Sequence, residues 1–267
     1  ICALVQQGWE AISPPRGDRP RRRVARGVLW VCVLLLIGFL VLPALIVVPV
    51  SFTAGQFVNF PPEGFSLRWY ETYLGTPAWI EATFRSFIVA AITGALAMAL
   101  GVPAAFMLTR ARVPGRAALL ALILSPLIIP RIVVAVAIYI FYARIGLVGT
   151  TAGLVLGHAV LAVPYVIVTT MAVLKTYDER LDQAAASLGA TRWRTLVHVT
   201  FPLIRSGLIA AFLFAFVTSF DELTISLFVS GGLVSTLPRQ MWNDMLLQVN
   251  PTLAAASTVM LVLITTM

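Results

Sequence analysis

Residues Asp178–Pro202 read DERLDQAAASLGATRWRTLVHVTFP, the longest charged stretch in the chain, and they lie between two strongly apolar segments. Arg180 to Leu188 favour helix, with Ala184, Ala185 and Ala186 giving a small, smooth face, and Gly189 supplies the conformational freedom that ends such a helix. Thr191 is placed to cap a second short helix through Val199, with Trp193, Leu196 and Val197 opposed to Arg192, Arg194 and His198, before Pro202 stops it. The pattern predicts a helix–turn–helix elbow beside a membrane. Asp178, Glu179 and Asp182 form a charge run that reads most simply as a solvated face, and acids at a helix start also favour its dipole.

Composition puts the rest of the chain in that membrane. A soluble domain carries about 25% charged residues, whereas this chain of 267 residues has 11%, with 60% hydrophobic residues and a mean hydropathy of +0.94. Cys2 and Cys32 are the only cysteines, so neither a disulfide framework nor a cysteine metal site is available. The net charge of +8 raises the question of nucleic acid, which the placement of Lys and Arg answers.

In chain order, residues 1–27 hold Arg16, Arg19, Arg21, Arg22, Arg23 and Arg26 among Pro14, Pro15, Gly17 and Pro20, and read as a flexible cytoplasmic tail. A body of six spans is expected over 28–267. The first, Val28–Val50, is long enough to cross about 30 Å of hydrocarbon. A loop over Ser51–Ala82 follows, whose Trp69, Tyr70, Tyr73 and Trp79 read as an interfacial aromatic belt. Further spans are expected near Thr83–Leu108, Ala117–Tyr142, Thr150–Leu174 and Ile204–Val229, with a sixth from Thr252 cut off at Met267. Gly149, Gly153 and Gly157 recur every four residues, a small-residue stripe that admits another helix. The fold class is therefore all-α and integral to the membrane, with the elbow between the fourth and fifth spans.

Fourteen Lys and Arg residues lie on the side of the tail, the Arg110–Arg116 turn and the elbow, against Arg68, Arg144 and Arg239 on the other. This asymmetry puts the N-terminus and the elbow in the cytoplasm and accounts for the basic balance without nucleic acid.

The elbow resembles the coupling loop of ABC importer permeases, a pattern of Glu-Ala-Ala, three residues, Gly, nine residues, Ile, one residue and Leu-Pro. Gln183, Ala184, Ala185, Gly189, Val199, Phe201 and Pro202 stand at those spacings, and the departure at Gln183 removes a charge. The resemblance implies docking onto a cytoplasmic ATPase dimer, a second permease subunit that is a related partner, an extracytoplasmic solute-binding protein and a bacterial inner membrane. It also offers ATPase contact as the functional alternative for Asp178, Glu179 and Asp182. Transport would proceed by alternating access, with ATP hydrolysed by the partner.

Apart from Arg85 and Arg205 at the ends of their spans, three charges lie deep within the expected spans. Asp221 and Glu222 are placed near or beyond mid-membrane in the fifth, and Arg131 at comparable depth in the third. A charge at such depth is costly and is usually retained for a reason. Either acid is a candidate to line the path and attract a cation. Equally, one of them would neutralise Arg131, or the acid pair would end the helix near the outer surface. The stretch from Ser219 through Leu227-Phe228-Val229-Ser230-Gly231 to Thr236-Leu237-Pro238 resembles spermidine/putrescine importer permeases, which implies a polyamine. Arg131 departs from that pattern and would suit a zwitterion or carboxylate unless an acid masks it; an amino-acid-like, carboxylate or phosphonate solute is the alternative.

Enzyme constellations are missing from the sequence. There is no Gly-x4-Gly-Lys-Ser/Thr loop to cradle phosphate, and His158 and His198 stand without nearby metal ligands, so no cofactor is expected. Composition alone also permits a transporter driven by an ion gradient with Asp221 and Glu222 as proton or sodium sites; dependence on a separate ATPase discriminates between the two.

Overall fold

The computed structural model describes residues 19–266 except 63, 232–233 and 248–249, with side chains from Gly27 onward. Within these residues the chain is helical, without strands, apart from one isolated bridge between Thr53 and Phe65. Helix α1 covers Arg19–Val50, so the backbone is already helical where the sequence reads as a tail; residues 1–18 of that tail lie outside the described residues. The most apolar stretch of α1 buries nothing against the rest of the chain, and Phe39 is 77% exposed. Such a surface is tolerable only in hydrocarbon or against another apolar partner.

The segment expected as a loop contains α2 (Arg68–Gly75) and the first turns of α3 (Pro77–Arg110), which starts at Pro77 because a proline at the first helical position gives up no hydrogen bond. Tyr73 and Trp79 do not form an interfacial belt. Both are buried, their rings 5.7 Å apart, in a cluster with Phe216, Phe220 and Leu237. Trp69 and Tyr70 are half-buried and tie the loop together, Trp69 Nε1–H donating to Thr53 O at 2.9 Å and the Tyr70 hydroxyl lying 2.6 Å from that of Ser51.

The core of the bundle is α3 packed on α6 (Thr151–Thr176) and α8 (Arg192–Phe220). Small residues bring these backbones together: Ala97, Ala162, Ala211 and Ala215 are buried at the seam with Val102 and Val166. Gly207 on α8 lies so near α6 that an added Cβ would stand 2.2 Å from Val173 Cγ2.

The third span is not a straight helix. α4 (Arg116–Ile128) and α5 (Arg131–Ile145) meet at 98°. Pro130 disfavours the helical conformation for Ile129, which is extended at φ −68°, ψ 137°, and Arg131 therefore opens a new helix instead of sitting inside one. The glycine stripe also divides its duties. Gly149 precedes α6 with φ +78° and donates to Val229 O at 2.7 Å, Gly153 folds onto Leu147, and Gly157 receives Ile225.

Beyond α6 come α7 (Arg180–Ser187), α8, α9 (Thr224–Val229), α10 (Leu237–Leu247) and α11 (Thr252–Thr266). Among the described residues four helices are long and apolar enough to cross a membrane, or five if the bent pair is one span, while α11 has 15 residues. The fifth expected span ends at Phe220, and α10 occupies what reads as an outer loop.

Candidate functional site

Among the described residues two places bring oppositely charged side chains into contact. The first is the break between α8 and α9. Asp221 ends α8 with φ −89°, ψ 3°, and α9 begins at Thr224, so the two acids occupy a connection rather than adjacent positions of one helix. Glu222 is buried. Its Oε2 lies 3.2 Å from Arg131 Nη1, and its Oε1 accepts the Ile225 N–H at 3.0 Å, which caps the otherwise unpaired start of α9. The Asp221 side chain is exposed at the rim of a cavity of about 320 Å³ with Trp242, Met241, Met245, Ser257 and Met260. Its carboxylate feels the charge of Arg131, but among the described residues that side chain forms no hydrogen bond or ion pair.

His158, on α6, is buried beside this break and joins its two sides: Nδ1 lies 2.9 Å from Ser219 Oγ and Nε2 lies 3.2 Å from Ser226 Oγ. The Ser226 hydroxyl hydrogen goes to Glu222 O at 2.8 Å, so its oxygen accepts from Nε2–H. His158 is thus a buried, hydrogen-bonded packing residue, and no group of three or more metal-ligating side chains occurs among the described residues.

The second place is the elbow. Asp178 Oδ1 accepts the Arg180 N–H at 3.0 Å, and after α7 ends at Ser187 the chain turns at Gly189, in the left-handed region with φ +81°. Thr191 Oγ1 accepts the Arg194 N–H at 3.4 Å and starts α8. Pro202 does not stop the second arm. Leu196–Thr200 form a π turn, in which Phe201 N–H reaches back to Leu196 O, and Pro202 enters the first positions of the following α-helical segment, so α8 runs without interruption to Phe220.

The seven elbow residues separate into two groups. Gln183, Ala184 and Gly189 are exposed and Ala185 is half-buried, whereas Val199 and Phe201 are half-buried on the bundle side and Pro202 is exposed. Phe201 meets Phe106 of α3 edge to face at 6.0 Å. Leu188, 90% exposed, and Trp193, 70% exposed, make the outer surface of the elbow apolar.

Asp182 is not a solvated acid. Its Oδ2 lies 2.8 Å from Arg110 Nη1 at the end of α3, and its Oδ1 accepts from the Tyr177 hydroxyl at 2.6 Å and the Thr200 hydroxyl at 2.9 Å. Burial, and then the neighbouring Asp182, push the Tyr177 phenol above its usual range and keep it a donor. Tyr177 lies five residues before Asp182, just past the end of α6, whereas Arg110 and Thr200 arrive from α3 and α8, and nothing local in the sequence marks those two as its partners.

The model of the family described as "Binding-protein-dependent transport system inner membrane component" matches residues 97–267. The putrescine transport system permease protein PotI of Escherichia coli (strain K12) is 32% identical over 241 residues, 87% of this chain and 85% of that one. The spermidine/putrescine transport system permease protein PotC of Haemophilus influenzae is 30% identical over 226 residues, 85% of this chain and 88% of that one. Among solved structures, a chain from a bacterial ABC transporter involved in the import of the acidic polysaccharide alginate shares the fold with a TM-score of 0.66, over 92% of this chain and 93% of that one, at 13% identity.

Proposed function

Because this chain belongs to the binding-protein-dependent transport system inner membrane component family, it is a multi-pass permease subunit of an ABC importer and not an enzyme, and we propose that its solute is a polyamine. The observation that carries the substrate class is the Arg131–Glu222 pair. Arg131 would repel a polycation if it stood alone; with Glu222 3.2 Å away its charge is matched, and the uncompensated charge of the trio is that of Asp221. The cavity beside Asp221 offers Trp242, whose ring face attracts cations, and polarisable methionine sulfurs. The names of the 32% and 30% identical relatives support the same solute class.

Family membership implies an ATPase, a second permease and a solute-binding protein as partners. The elbow is the docking surface for the cytoplasmic ATPase, presenting Gln183, Ala184, Gly189, Leu188 and Trp193, and the Lys and Arg asymmetry supports a cytoplasmic N-terminus and elbow. Movement of the ATPase dimer would pass through the elbow to α8, whose far end carries Asp221.

The test is uptake of radiolabelled putrescine and spermidine into proteoliposomes holding the whole importer with its binding protein and internal ATP. The expected result is ATP-dependent uptake that Asp221→Asn lowers about tenfold or more, the effect of losing a charged contact worth about 1.5–3 kcal/mol. Absence of polyamine uptake, with uptake of a carboxylate that Arg131→Gln abolishes, would overturn the substrate assignment and leave the importer class intact.

A further inference from the structure

The ring of contacts around Asp182 has a geometry that solubility alone does not explain. Three partners converge on one carboxylate: Arg110 closes α3, Tyr177 follows α6, and Thr200 lies in the π turn of α8. Asp182 itself lies in α7, the exposed arm of the elbow. Arg110 is held further by ring faces, its guanidinium carbon lying 5.1 Å from the centroid of Phe106 and 5.4 Å from that of Tyr177. The side-chain exposures of Arg110 and Asp182 are 28% and 21%, so the pair is partly withdrawn from water. These helices are also the three that pack as the core of the bundle.

The rest of α7 has little hold on the bundle. None of its residues is buried, and an added Cβ on Gly189 would meet nothing within 4 Å. A force on the outer face of α7 would therefore reach the bundle through the covalent chain at either end, through its packing against the first turns of α8, and through Asp182. The covalent link to α8 passes through the turn after Gly189, whereas the Asp182 contacts bypass it and grip all three helices together.

We propose that Asp182 is the positioning residue that makes α7 move as one body with α3, α6 and α8, so that displacement of the elbow becomes displacement of the bundle. This rests on the reading of the elbow as the ATPase docking surface. Asp182 touches neither solute nor nucleotide; it acts through Arg110 and the Tyr177 and Thr200 hydroxyls.

The experiment measures putrescine uptake, ATP hydrolysis and membrane abundance together in the reconstituted importer. Asp182→Asn keeps an oxygen able to accept from both hydroxyls, which share Oδ1, but removes the charge and the oxygen facing Arg110. It is expected to leave abundance and ATPase co-purification unchanged while the number of solutes moved per ATP falls roughly fivefold to tenfold. Tyr177→Phe and Thr200→Val, each removing one hydroxyl, should give smaller losses, and they keep the proposal testable if Asp182→Asn accumulates poorly. The double variant Asp182→Ala with Arg110→Ala should be no worse than Asp182→Ala alone, because that single change already breaks the Arg110 contact. Unchanged solutes per ATP in Asp182→Asn, Tyr177→Phe and Thr200→Val would overturn the proposal, as would independent, additive losses in the double variant. The docking reading is tested separately with Leu188→Asp and Trp193→Asp, which should release the ATPase; if both retain it, that reading fails whatever Asp182 does.

Discussion

Arg131 and Glu222 lie 3.2 Å apart but in very different surroundings, the arginine side chain 54% exposed and the glutamate 1%. The glutamate also caps α9 through the Ile225 N–H. Losing the arginine strands a carboxylate among apolar groups, whereas losing the carboxylate charge leaves a guanidinium that still reaches the surface. Arg131→Ala should therefore cost more than Glu222→Gln, about 1–3 kcal/mol against about 1 kcal/mol or less. The double variant should recover much of the larger loss. Thermal unfolding in detergent measures this, and fully additive losses would mean that the two charges do not support each other.

Gly189 has φ +81° and open space where a Cβ would stand. Gly189→Ala should cost only about 1–2 kcal/mol of backbone strain, and the permease should reach the membrane in near-normal amount. A bulkier Gly189→Phe meets no wall within this chain, so its effect should appear at the docked ATPase, as hydrolysis uncoupled from uptake. Coupled uptake at the wild-type ratio in the Phe variant would count against the elbow's role.

The elbow was legible because its signals are local: the αL glycine at 189, the cap at Thr191 and the alternation of charge and grease act within a few residues. The presence of long apolar segments was legible on the same grounds. Pro202 misled because a proline is read against α-helical bonding, and the π turn before it changes which carbonyl seeks a partner. The end of α8 at Phe220 carries no proline or glycine; Glu222 favours it through a contact with Arg131 that no local window contains. Asp182 looked like solvated charge for the same reason, its partners Arg110 and Thr200 lying on other helices. Tyr73 and Trp79 are amphipathic enough to suit either an interface or a core, and only packing decides between them.

Close approach of α6 and α8 gives a prediction free of any functional reading. A Cβ at Gly207 would stand 2.2 Å from Val173 Cγ2 and 2.7 Å from Cγ1, with Val173 Cβ at 3.0 Å, so rotating the valine cannot relieve the overlap. Gly207→Ala should force the helices apart at a cost of about 1–3 kcal/mol. Val173→Ala in the same chain should restore most of it by vacating that space. If the single variant melts at the wild-type temperature, the helices have room that the structure does not contain.

His158 offers the last test, because its two ring nitrogens hold opposite sides of the α8–α9 break. With hydrogen on Nε2 the ring donates to Ser226, while Nδ1 accepts from Ser219. His158→Phe keeps an aromatic ring in the space but leaves the buried Ser219 hydroxyl without that acceptor and frees Ser226 from the tie across the break. Each lost contact should weaken the junction by about 1 kcal/mol. The loss should concentrate at the junction, since Glu222 still caps α9 and the alanine seam of the core is untouched. Amide hydrogen exchange should accelerate about tenfold over residues 221–226, while residues 154–162 of α6 and 204–216 of α8 keep their protection. Faster exchange spread evenly over all three segments would mean that His158 supports the bundle as a whole; unchanged exchange at 221–226 would mean that Arg131 and Glu222 hold the break unaided.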